Sequence, residues 1–367
     1  MLKNRLKLLR IYICNMQKKR ILVAALNWGL GHATRCIPII KALIKNNYEP
    51  IVASDGDALR LLKKEFPHII CLELPSYHIR YTKDPGNLKW KLLFDSPRIL
   101  SVIKAEKKTT QSIIRDYQIS GIISDNRWGV RNKRLQCVFI THQLQVLSGN
   151  TTYFSSKIQQ KYIEKFDQCW VPDLPGRKNL SGILGHLKTE NSDIKYIGPL
   201  SRIEKRSLPI VYDYLIMLSG PEPQRSFLER HLLNIFKETQ EKILFIRGVF
   251  CSEEISLNNT NINIRNHLYG AFLQQALNSC KCVIARSGYT TIMDLYKIEA
   301  KAFFIPTPGQ FEQEYLAERL EKLGIAPYCK QENFSLDKLE RVAQYSGFSS
   351  VRFEHPFRDL FTLFQSE

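Results

Sequence analysis

Long apolar runs are missing from this 367-residue sequence, and acidic residues are scarce in it. No stretch approaches the roughly 18–20 apolar residues that a membrane-spanning helix needs. A secretory signal is a poor fit, because Arg10 interrupts the short apolar stretch near the N-terminus. We therefore expect a cytoplasmic protein that is soluble or attached to the inner face of a membrane.

Cysteine occurs nine times, but its spacing shows neither a disulfide framework nor a zinc-binding pattern. Only Cys280 and Cys282 lie close together, and no second pair accompanies them. An odd number of scattered cysteines is typical of reduced, mostly buried thiols in a cytoplasmic protein. The sequence predicts no metal site.

The scarcity of acidic residues gives the chain a formal charge of +18, from 53 basic and 35 acidic side chains. Such a balance favours an anionic partner, which could be nucleic acid, an acidic membrane surface or a phosphorylated substrate. Part of the charge lies in residues 1–19, which we interpret as a basic N-terminal extension. Met16 is a candidate natural start, and an anchor to anionic lipid is the alternative interpretation of this extension.

From residue 20 onwards, short apolar strands alternate with helical segments, which is typical of parallel strands joined by helical crossovers. A polar, proline-containing stretch at 197–209 interrupts the alternation, as domain linkers do. We predict an α/β fold of two Rossmann-like domains that face each other across a cleft. The predicted units are an N-terminal domain at 20–200, a C-terminal domain at 201–350 and a helix at 351–367 that packs back toward the N-terminal domain.

The carboxyl ends of the predicted strands are where ligands should collect in such a fold. Strands are predicted at 21–26, 50–54, 69–74, 121–124, 137–140 and 168–171 in the first half, and at 214–218, 243–246, 262–264, 282–285 and 302–305 in the second. Helices are predicted at 35–46, 57–66, 99–117, 155–166, 224–237, 269–278, 290–296 and 312–322. The residues that follow each strand are therefore the candidates for a functional site.

The loop after the first strand contains Gly29 and Gly31, which allow a tight turn and a close approach to a ligand. His32 follows directly and is a candidate general base, although a helix-capping role is equally open. Thr34 stands where the dinucleotide-binding fingerprint has its third glycine. A nicotinamide or flavin enzyme is therefore only a minor alternative.

Two further residues follow strands of the first half and should face the same cleft. Asp125 comes after strand 121–124, where it could orient His32 or hold an acceptor, and a plain loop aspartate is the alternative. His142 comes after strand 137–140, and a structural role is favoured for it.

The loop after strand 282–285 opens a helix with Ser287, Gly288 and Thr290. Backbone N–H groups and hydroxyls at a helix N-terminus stabilise phosphate. Asp294 lies one turn further along the same face, where its carboxylate suits ribose hydroxyls. The alternative role of Asp294 is a favourable acid near the helix start.

The loop after strand 302–305 ends in a polar cluster of Gln310, Glu312 and Gln313. Amides and carboxylates can bind several hydroxyls, as a sugar requires, while helix capping is the alternative. Ser219 and Gly220 form a small-residue turn after strand 214–218 that could hold phosphate. Together, the loops of the second half predict a nucleotide-sugar site.

These motifs resemble those of the two-domain GT-B glycosyltransferases. The likeness rests on Gly29-x-Gly31-His32-x-Thr34-Arg35 and on the stretches 285–294 and 308–313. It is most similar to the branch that contains the lipid-linked N-acetylglucosaminyltransferase of bacterial peptidoglycan synthesis, with the C-terminal domain of glycosyltransferase family 28. The resemblance implies that the second half binds a UDP-sugar and the first half binds the acceptor.

The resemblance also implies roles for individual residues. Ser287 and Gly288 would lie by the diphosphate, as would Arg202. The family's glycine-rich donor loop is reduced here to the turn at Ser219 and Gly220. Asp294 would hold the ribose and His267 would line the uracil pocket. Gln310, Glu312 and Gln313 would contact the donor sugar. Gly29, Gly31, Thr34 and Arg35 would form an acceptor-side loop around His32, which matches the histidine of the family's glycine loop. Asp125 is included in the candidate catalytic pair because of its position after a strand.

The implied reaction moves a sugar from a nucleotide-sugar to a hydroxyl acceptor, with a lipid-linked acceptor as one option. We expect inversion, with no metal and no cofactor, since Asp55 and Asp57 fit a loop-and-cap role better than a metal site. The basic, aromatic stretch 89–94 predicts docking on an anionic membrane, although a buried aromatic face is slightly favoured. The alternatives are a nucleotide-sugar epimerase and a non-catalytic protein that binds membranes or nucleic acid. Nucleic acid is not expected, because no recognised module is present.

Overall fold

A computed structural model describes residues 18–365, except 78–95, 188–192, 221, 250–254, 256–257, 352 and 354–356. Most of the predicted N-terminal extension, including Met16, and the predicted membrane-docking stretch at 89–94 lie outside the described residues. The described residues form two sheets of parallel strands with helical crossovers. The predicted α/β fold with two Rossmann-like halves is therefore confirmed.

The first sheet has the strand order β3-β2-β1-β4-β5-β6-β7 and organises what we call the first lobe. Five of the six residues of β1 (Arg20–Ala25) are buried. Because helices cover both faces of such a sheet, its inner strands are continuously apolar. The other strands are β2 (Glu49–Ser54), β3 (Cys71–Glu73), β4 (Ile119–Asp125), β5 (Gln136–Ile140), β6 (Gln168–Val171) and β7 (Ile194–Tyr196), and the helices are α1 (Gly31–Lys45), α2 (Gly56–Glu65), α3 (Ser96–Tyr117) and α4 (Thr152–Ile163).

The second sheet has the strand order β10-β9-β8-β11-β12 and organises the second lobe. Strands β8 and β11 pair in parallel inside this sheet. The loops that follow them therefore lie side by side, at the carboxyl ends of the strands. The strands are β8 (Tyr212–Met217), β9 (Ile243–Ile246), β10 (Ile262–Arg265), β11 (Cys280–Ala285) and β12 (Ala302–Phe304), and the helices are α5 (Gln224–Phe236), α6 (Gly270–Asn278), α7 (Tyr289–Ile298) and α8 (Phe311–Lys322).

The C-terminal segment returns to the first lobe. It forms the short helix α9 (Phe357–Phe361) and one further turn. The Tyr48 hydroxyl donates to the carbonyl oxygen of Phe361 at 3.0 Å, and the Phe361 ring lies 6.2 Å from that of Trp170. The second lobe is thus joined to the first by two chain crossings.

Several elements of the first lobe differ from the sequence prediction. Helices α1 and α3 begin four and three residues earlier than predicted, at Gly31 and Ser96. Strand β7 was not predicted, because its three residues are only half-buried and give no apolar run. Helix α4 begins three residues earlier than predicted and ends at Ile163 instead of residue 166. The buried face of α4 is mostly polar, with Ser156 and Gln159, so hydrophobic periodicity placed its ends poorly.

None of the helices in the described part of the chain has the length and apolarity needed to cross a bilayer.

Candidate functional site

The ends of β1 and β4 bring the predicted base and its predicted partner together. The two strands pair in parallel with Ala25 opposite Asp125, so the loop after β1 lies beside this carboxylate. His32, at the start of α1, has its Nδ1 atom 2.7 Å from Oδ1 of Asp125. Arg35, one turn further along α1, donates from Nε to the other carboxylate oxygen at 2.5 Å.

Burial and neighbouring charges set the ionisation of this pair. Burial opposes the charge on Asp125, but Arg35 and His32 outweigh it and lower the pKa of Asp125 to about 2. Burial and the charge of Arg35 lower the pKa of His32, and Asp125 offsets this only in part. Nε2 of His32 has no hydrogen-bond partner among the described residues, and 13% of the side chain is exposed. At neutral pH the imidazole is therefore uncharged, as a general base must be.

The rest of the predicted acceptor-side loop is partly exposed and partly enclosed. Gly29 is exposed and has φ of +72°, a backbone angle that favours glycine. Thr34 is buried and donates from its hydroxyl to the carbonyl oxygen of Gly31 at 3.0 Å. Arg35 is also buried, so its side chain faces the protein and not the cleft.

In the second lobe, the loop after β11 exposes the start of helix α7. Gly288 precedes the helix, and no side chain caps its first N–H groups. A Cβ atom at Gly288 would meet nothing within 4 Å, so this backbone borders open space. Ser287 is buried and donates its hydroxyl proton to the carbonyl oxygen of Gln313 at 2.7 Å. The Ser287 hydroxyl is thus engaged by the protein, and the residue is fully buried.

The two predicted loops face each other directly. A Cβ atom on Gly31 would lie 2.6 Å from Oγ1 of Thr290, so the glycine loop of the first lobe touches the start of α7. The His142 ring stacks on Tyr289 with 4.4 Å between centroids and 7° between planes. The His32 loop and the predicted phosphate-binding loop therefore border one crevice.

Asp294, a residue of α7, lies close enough to Arg202 for their charges to interact. Ser201 donates from its hydroxyl to Oδ1 of Asp294 at 2.5 Å. Burial raises the pKa of Asp294 to about 6, although Ser201 and the charge of Arg202 act in the opposite direction. Nε and Nη1 of Arg202 are enclosed and have no hydrogen-bond partner in the part of the chain that the structure describes. These unused donors suit an anion.

The polar cluster at the start of α8 is largely engaged by protein groups. Glu312 accepts from Nε2 of His142 at 2.9 Å and from the side-chain amide of Gln143, both in the first lobe. Gln313 accepts from the backbone N–H of Thr307 at 2.9 Å, and the side-chain oxygen of Gln310 is enclosed without a partner among the residues the structure describes. The sugar contacts of these three residues stay predictions.

The remaining predicted donor residues lie at the carboxyl edge of the second sheet. Ser219 and Gly220 are exposed after β8, and Gly220 has φ of +100°. His267 follows β10, with Nδ1 3.1 Å from the carbonyl oxygen of Val249 and its ring stacked on Tyr269. These three residues thus lie after the carboxyl ends of strands β8 and β10.

Comparison with known proteins agrees with this geometry. Residues 224–346 match the glycosyltransferase family 28 C-terminal domain. The chain is 24% identical over 342 residues to a UDP-N-acetylglucosamine--N-acetylmuramyl-(pentapeptide) pyrophosphoryl-undecaprenol N-acetylglucosamine transferase of Buchnera aphidicola, covering 89% of each chain. An uncharacterized glycosyltransferase of Methanosarcina acetivorans is 22% identical over 335 residues, covering 83% of this chain and 84% of that protein.

Solved structures show the same fold. The glycosyltransferase of kitacinnamycin matches with a TM-score of 0.65 and 12% identity, covering 89% of this chain and 90% of that one. Acinetobacter baumannii MurG matches with a TM-score of 0.53 and 13% identity, covering 90% and 91%. The chain is a GT-B glycosyltransferase with a family 28 C-terminal domain.

Two residues of this glycosyltransferase, His142 and Tyr289, have contacts that the sequence did not predict. His142, for which a structural role was favoured, lies between Arg35 and Glu312 in the crevice. Tyr289 crosses to the first lobe and donates from its hydroxyl to the carbonyl oxygen of Pro172 at 2.9 Å. Position after a strand was the available signal for His142, whereas nothing local indicated the partners of Tyr289.

Arg286 joins the loops that follow β11 and β12 through hydrogen bonds. It is buried and donates from Nη1 to the carbonyl oxygens of Ile305 and Pro306 at 3.0 Å each, and from Nη2 to Gln331 at 2.7 Å. Burial lowers its pKa to about 10, so the guanidinium keeps its charge at neutral pH. This charge adds positive potential next to the predicted phosphate-binding loop of the glycosyltransferase.

Proposed function

We propose that this glycosyltransferase moves a sugar from a UDP-linked donor to a hydroxyl group of a lipid-linked acceptor, with inversion and without a metal ion. The observation that carries the proposal is the position of the His32–Asp125 pair, which faces the uncapped start of α7 across the Gly31–Thr290 contact. Sugar transfer requires a base near the attacking hydroxyl and positive potential near the leaving diphosphate. The crevice offers both.

The reaction follows from these positions. The acceptor hydroxyl attacks the anomeric carbon as the bond from that carbon to the diphosphate oxygen breaks. Nε2 of His32 takes the hydroxyl proton, and the carboxylate of Asp125 stabilises the imidazolium that forms. Negative charge grows on the leaving phosphate, where the N–H groups at the start of α7 and the free donors of Arg202 stabilise it. A single displacement inverts the anomeric configuration.

Contacts of the Asp55-x-Asp57 pair support a reaction without a metal. Arg127 binds Oδ1 of Asp55, and Asn27 donates to Oδ2 at 3.1 Å. Arg60 pairs with Asp57 at 2.9 Å. Because both carboxylates have protein partners, we propose that neither binds a metal ion and that a chelator leaves turnover unchanged.

The choice of UDP and of a lipid-linked acceptor is supported by the relatives. The Buchnera aphidicola protein is named for a UDP-N-acetylglucosamine donor and an undecaprenol-linked acceptor. In this chain, Asp294 and His267 lie where a ribose and a base could be held at the edge of the second sheet. We propose a cytoplasmic location, with peripheral contact to an anionic membrane and no nucleic-acid partner.

Helix α4 supports the membrane contact. Its outward face carries Tyr153, Phe154 and Ile158, which are 61%, 67% and 52% exposed. Lys157 and Lys161 lie on the same face, and Nζ of Lys157 is 4.5 Å from the centre of the Tyr153 ring. Aromatic and basic residues on one helix face are typical of helices that lie on anionic membranes.

The experiment that tests the proposal separates donor binding from turnover. Thermal unfolding with UDP, GDP, TDP and their sugars should show stabilisation by the UDP compounds. The His32→Ala variant should keep that stabilisation and lose roughly 10²–10⁴-fold in turnover. Undiminished turnover in His32→Ala would remove His32 as the base. Interconversion of donor sugars without an acceptor would instead support an epimerase.

A further inference from the structure

Thr307, in the loop after β12, has a buried hydroxyl that makes no hydrogen bond to the described part of the chain. The residue is 5% exposed, and its Oγ1 atom is enclosed without a partner among the residues that the structure describes. Burying a hydroxyl that makes no hydrogen bond costs stability, and a valine of nearly the same shape would avoid that cost. A hydroxyl in this state is explained by a partner that binds from outside the chain.

The backbone around Thr307 is held in place by hydrogen bonds, which fixes the direction of the side chain. The N–H of Thr307 donates to Oε1 of Gln313 at 2.9 Å, and its carbonyl oxygen accepts from the N–H of Gln310 at 3.1 Å. The preceding carbonyl oxygen, that of Pro306, accepts from Nη1 of Arg286 at 3.0 Å. The hydroxyl takes part in none of these bonds.

The Thr307 hydroxyl lies next to the turn at Ser219 and Gly220. A Cβ atom added to Gly220 would lie 3.7 Å from Oγ1 of Thr307. Apart from the neighbours of Gly220 in sequence, no other atom of the described residues would be within 4 Å of it. Glycine at this position therefore leaves space beside the hydroxyl, where an atom of a ligand can accept its proton.

This space belongs to the predicted diphosphate site. Strand β11 pairs with β8 on one side and with β12 on the other, so the loops that carry Gly220, Ser287 and Thr307 are neighbours. Gln313, which accepts from the N–H of Thr307, also accepts the hydroxyl proton of Ser287 at 2.7 Å. A hydroxyl can donate to a phosphate oxygen, and hydrogen bonds to charged groups are stronger than those between neutral groups.

We propose that Thr307 is a donor-binding residue whose hydroxyl donates a hydrogen bond to the phosphate that carries the sugar. Thr307 adjoins both Gly220, in the turn predicted to hold phosphate, and Gln310, which is predicted to contact the sugar. The phosphate between the nucleoside monophosphate and the sugar is therefore the one within its reach. The bond strengthens as negative charge grows on this phosphate during transfer. This inference rests on the proposed function, because it assigns a contact within the proposed donor site.

Titration calorimetry of the full chain with UDP and with UMP tests this contact. In Thr307→Val the affinity for UDP should fall roughly 10- to 100-fold, because a hydrogen bond to a charged group is lost. The affinity for UMP, which lacks the second phosphate, should not change. Thr307→Ser keeps a hydroxyl and should retain most of the affinity for UDP.

Thermal unfolding without nucleotide separates this loss of binding from a loss of folding. Thr307→Val should unfold about 2–4 °C above the wild type, because an unpaired buried hydroxyl is removed. Thr110→Val is the matched control, since Oγ1 of Thr110 is likewise enclosed without a partner in the described part of the chain, but lies in α3 of the first lobe. This variant should gain similar thermal stability and bind UDP as tightly as the wild type.

Unchanged UDP affinity in Thr307→Val would overturn the inference, and so would an equal loss of affinity for UMP or an equal loss in Thr110→Val. A lower unfolding temperature in Thr307→Val would also overturn it, because the hydroxyl would then have a partner within the protein. The proposed function fails on other results. A wild type that binds no UDP would overturn both, whereas undiminished turnover in His32→Ala removes the base and leaves the contact of Thr307 with the donor intact.

Discussion

Among single residues, Asp294 shows a conflict between stability and ligand binding. It is buried with one hydrogen-bond donor, and burial raises its pKa from 3.8 to about 6. The folded state therefore binds this proton more tightly than the unfolded state does. The resulting stability is fully present below about pH 4 and is lost as the pH rises through 6. At neutral pH the protein holds an ionised carboxylate that it would be more stable without.

We predict that Asp294→Asn gains stability relative to the wild type as the pH rises from 5 to 7.5, by on the order of 1–3 kcal/mol. The same variant should lose affinity for the nucleotide, because ribose hydroxyls donate to a carboxylate more strongly than to an amide. Thermal unfolding at both pH values, with and without UDP, measures both effects. A stability difference that does not change with pH would show that Asp294 does not titrate in this range.

At the scale of elements, the contact between the glycine loop and α7 defines the crevice. Gly31 has ordinary backbone angles, so glycine is required there by space and not by φ. The nearest atom to a Cβ at this position is Oγ1 of Thr290, in the other lobe. A single methyl group would thus press two elements apart.

We predict that Gly31→Ala lowers kcat/KM roughly 10- to 100-fold, because the base and the phosphate-binding loop would be displaced from each other. Thr290→Ala removes the atom that clashes, so the double variant should recover much of the loss, measured against Thr290→Ala alone. Steady-state kinetics with both substrates tests this. No recovery in the double variant would mean that Gly31 is needed for another reason.

The sequence predicted most elements of both sheets because strands between two helical layers are continuously apolar. Strand β7 and the ends of α4 escaped prediction because half-buried and polar-faced elements give no such pattern. Positions after strands indicated His32, Asp125 and His142 as candidates. The side chains that contact these candidates were not predicted. Arg35, for example, was expected in an acceptor-side loop, but it is buried and bonds to Asp125.

At the scale of the whole molecule, the exposed face of α4 belongs to the first lobe, which we propose binds the acceptor. Helix α4 follows the loop that contains His142, so a protein lying on this face would keep the proposed acceptor side near the membrane. The charge of +18 favours an anionic surface.

We predict that the protein co-sediments with vesicles containing phosphatidylglycerol and much less with pure phosphatidylcholine. Replacing Phe154 and Ile158 by Ser should weaken this binding roughly tenfold or more, because both side chains would lose their burial in lipid. Phe227→Ser is the matched control, since Phe227 is 43% exposed but lies in the second lobe. Equal loss in Phe227→Ser would mean that α4 is not the docking face.

The sequence by itself determined the two-lobed α/β layout and the loops that carry polar residues, because strand burial and turn formation depend on residues close together in the chain. Only the tertiary structure decided which side chains are free and which are engaged. His142 and Glu312 are 170 residues apart, and their contact exists only because two lobes meet. Local patterns carry no information about such a contact, since it depends on how two separately folded surfaces approach each other.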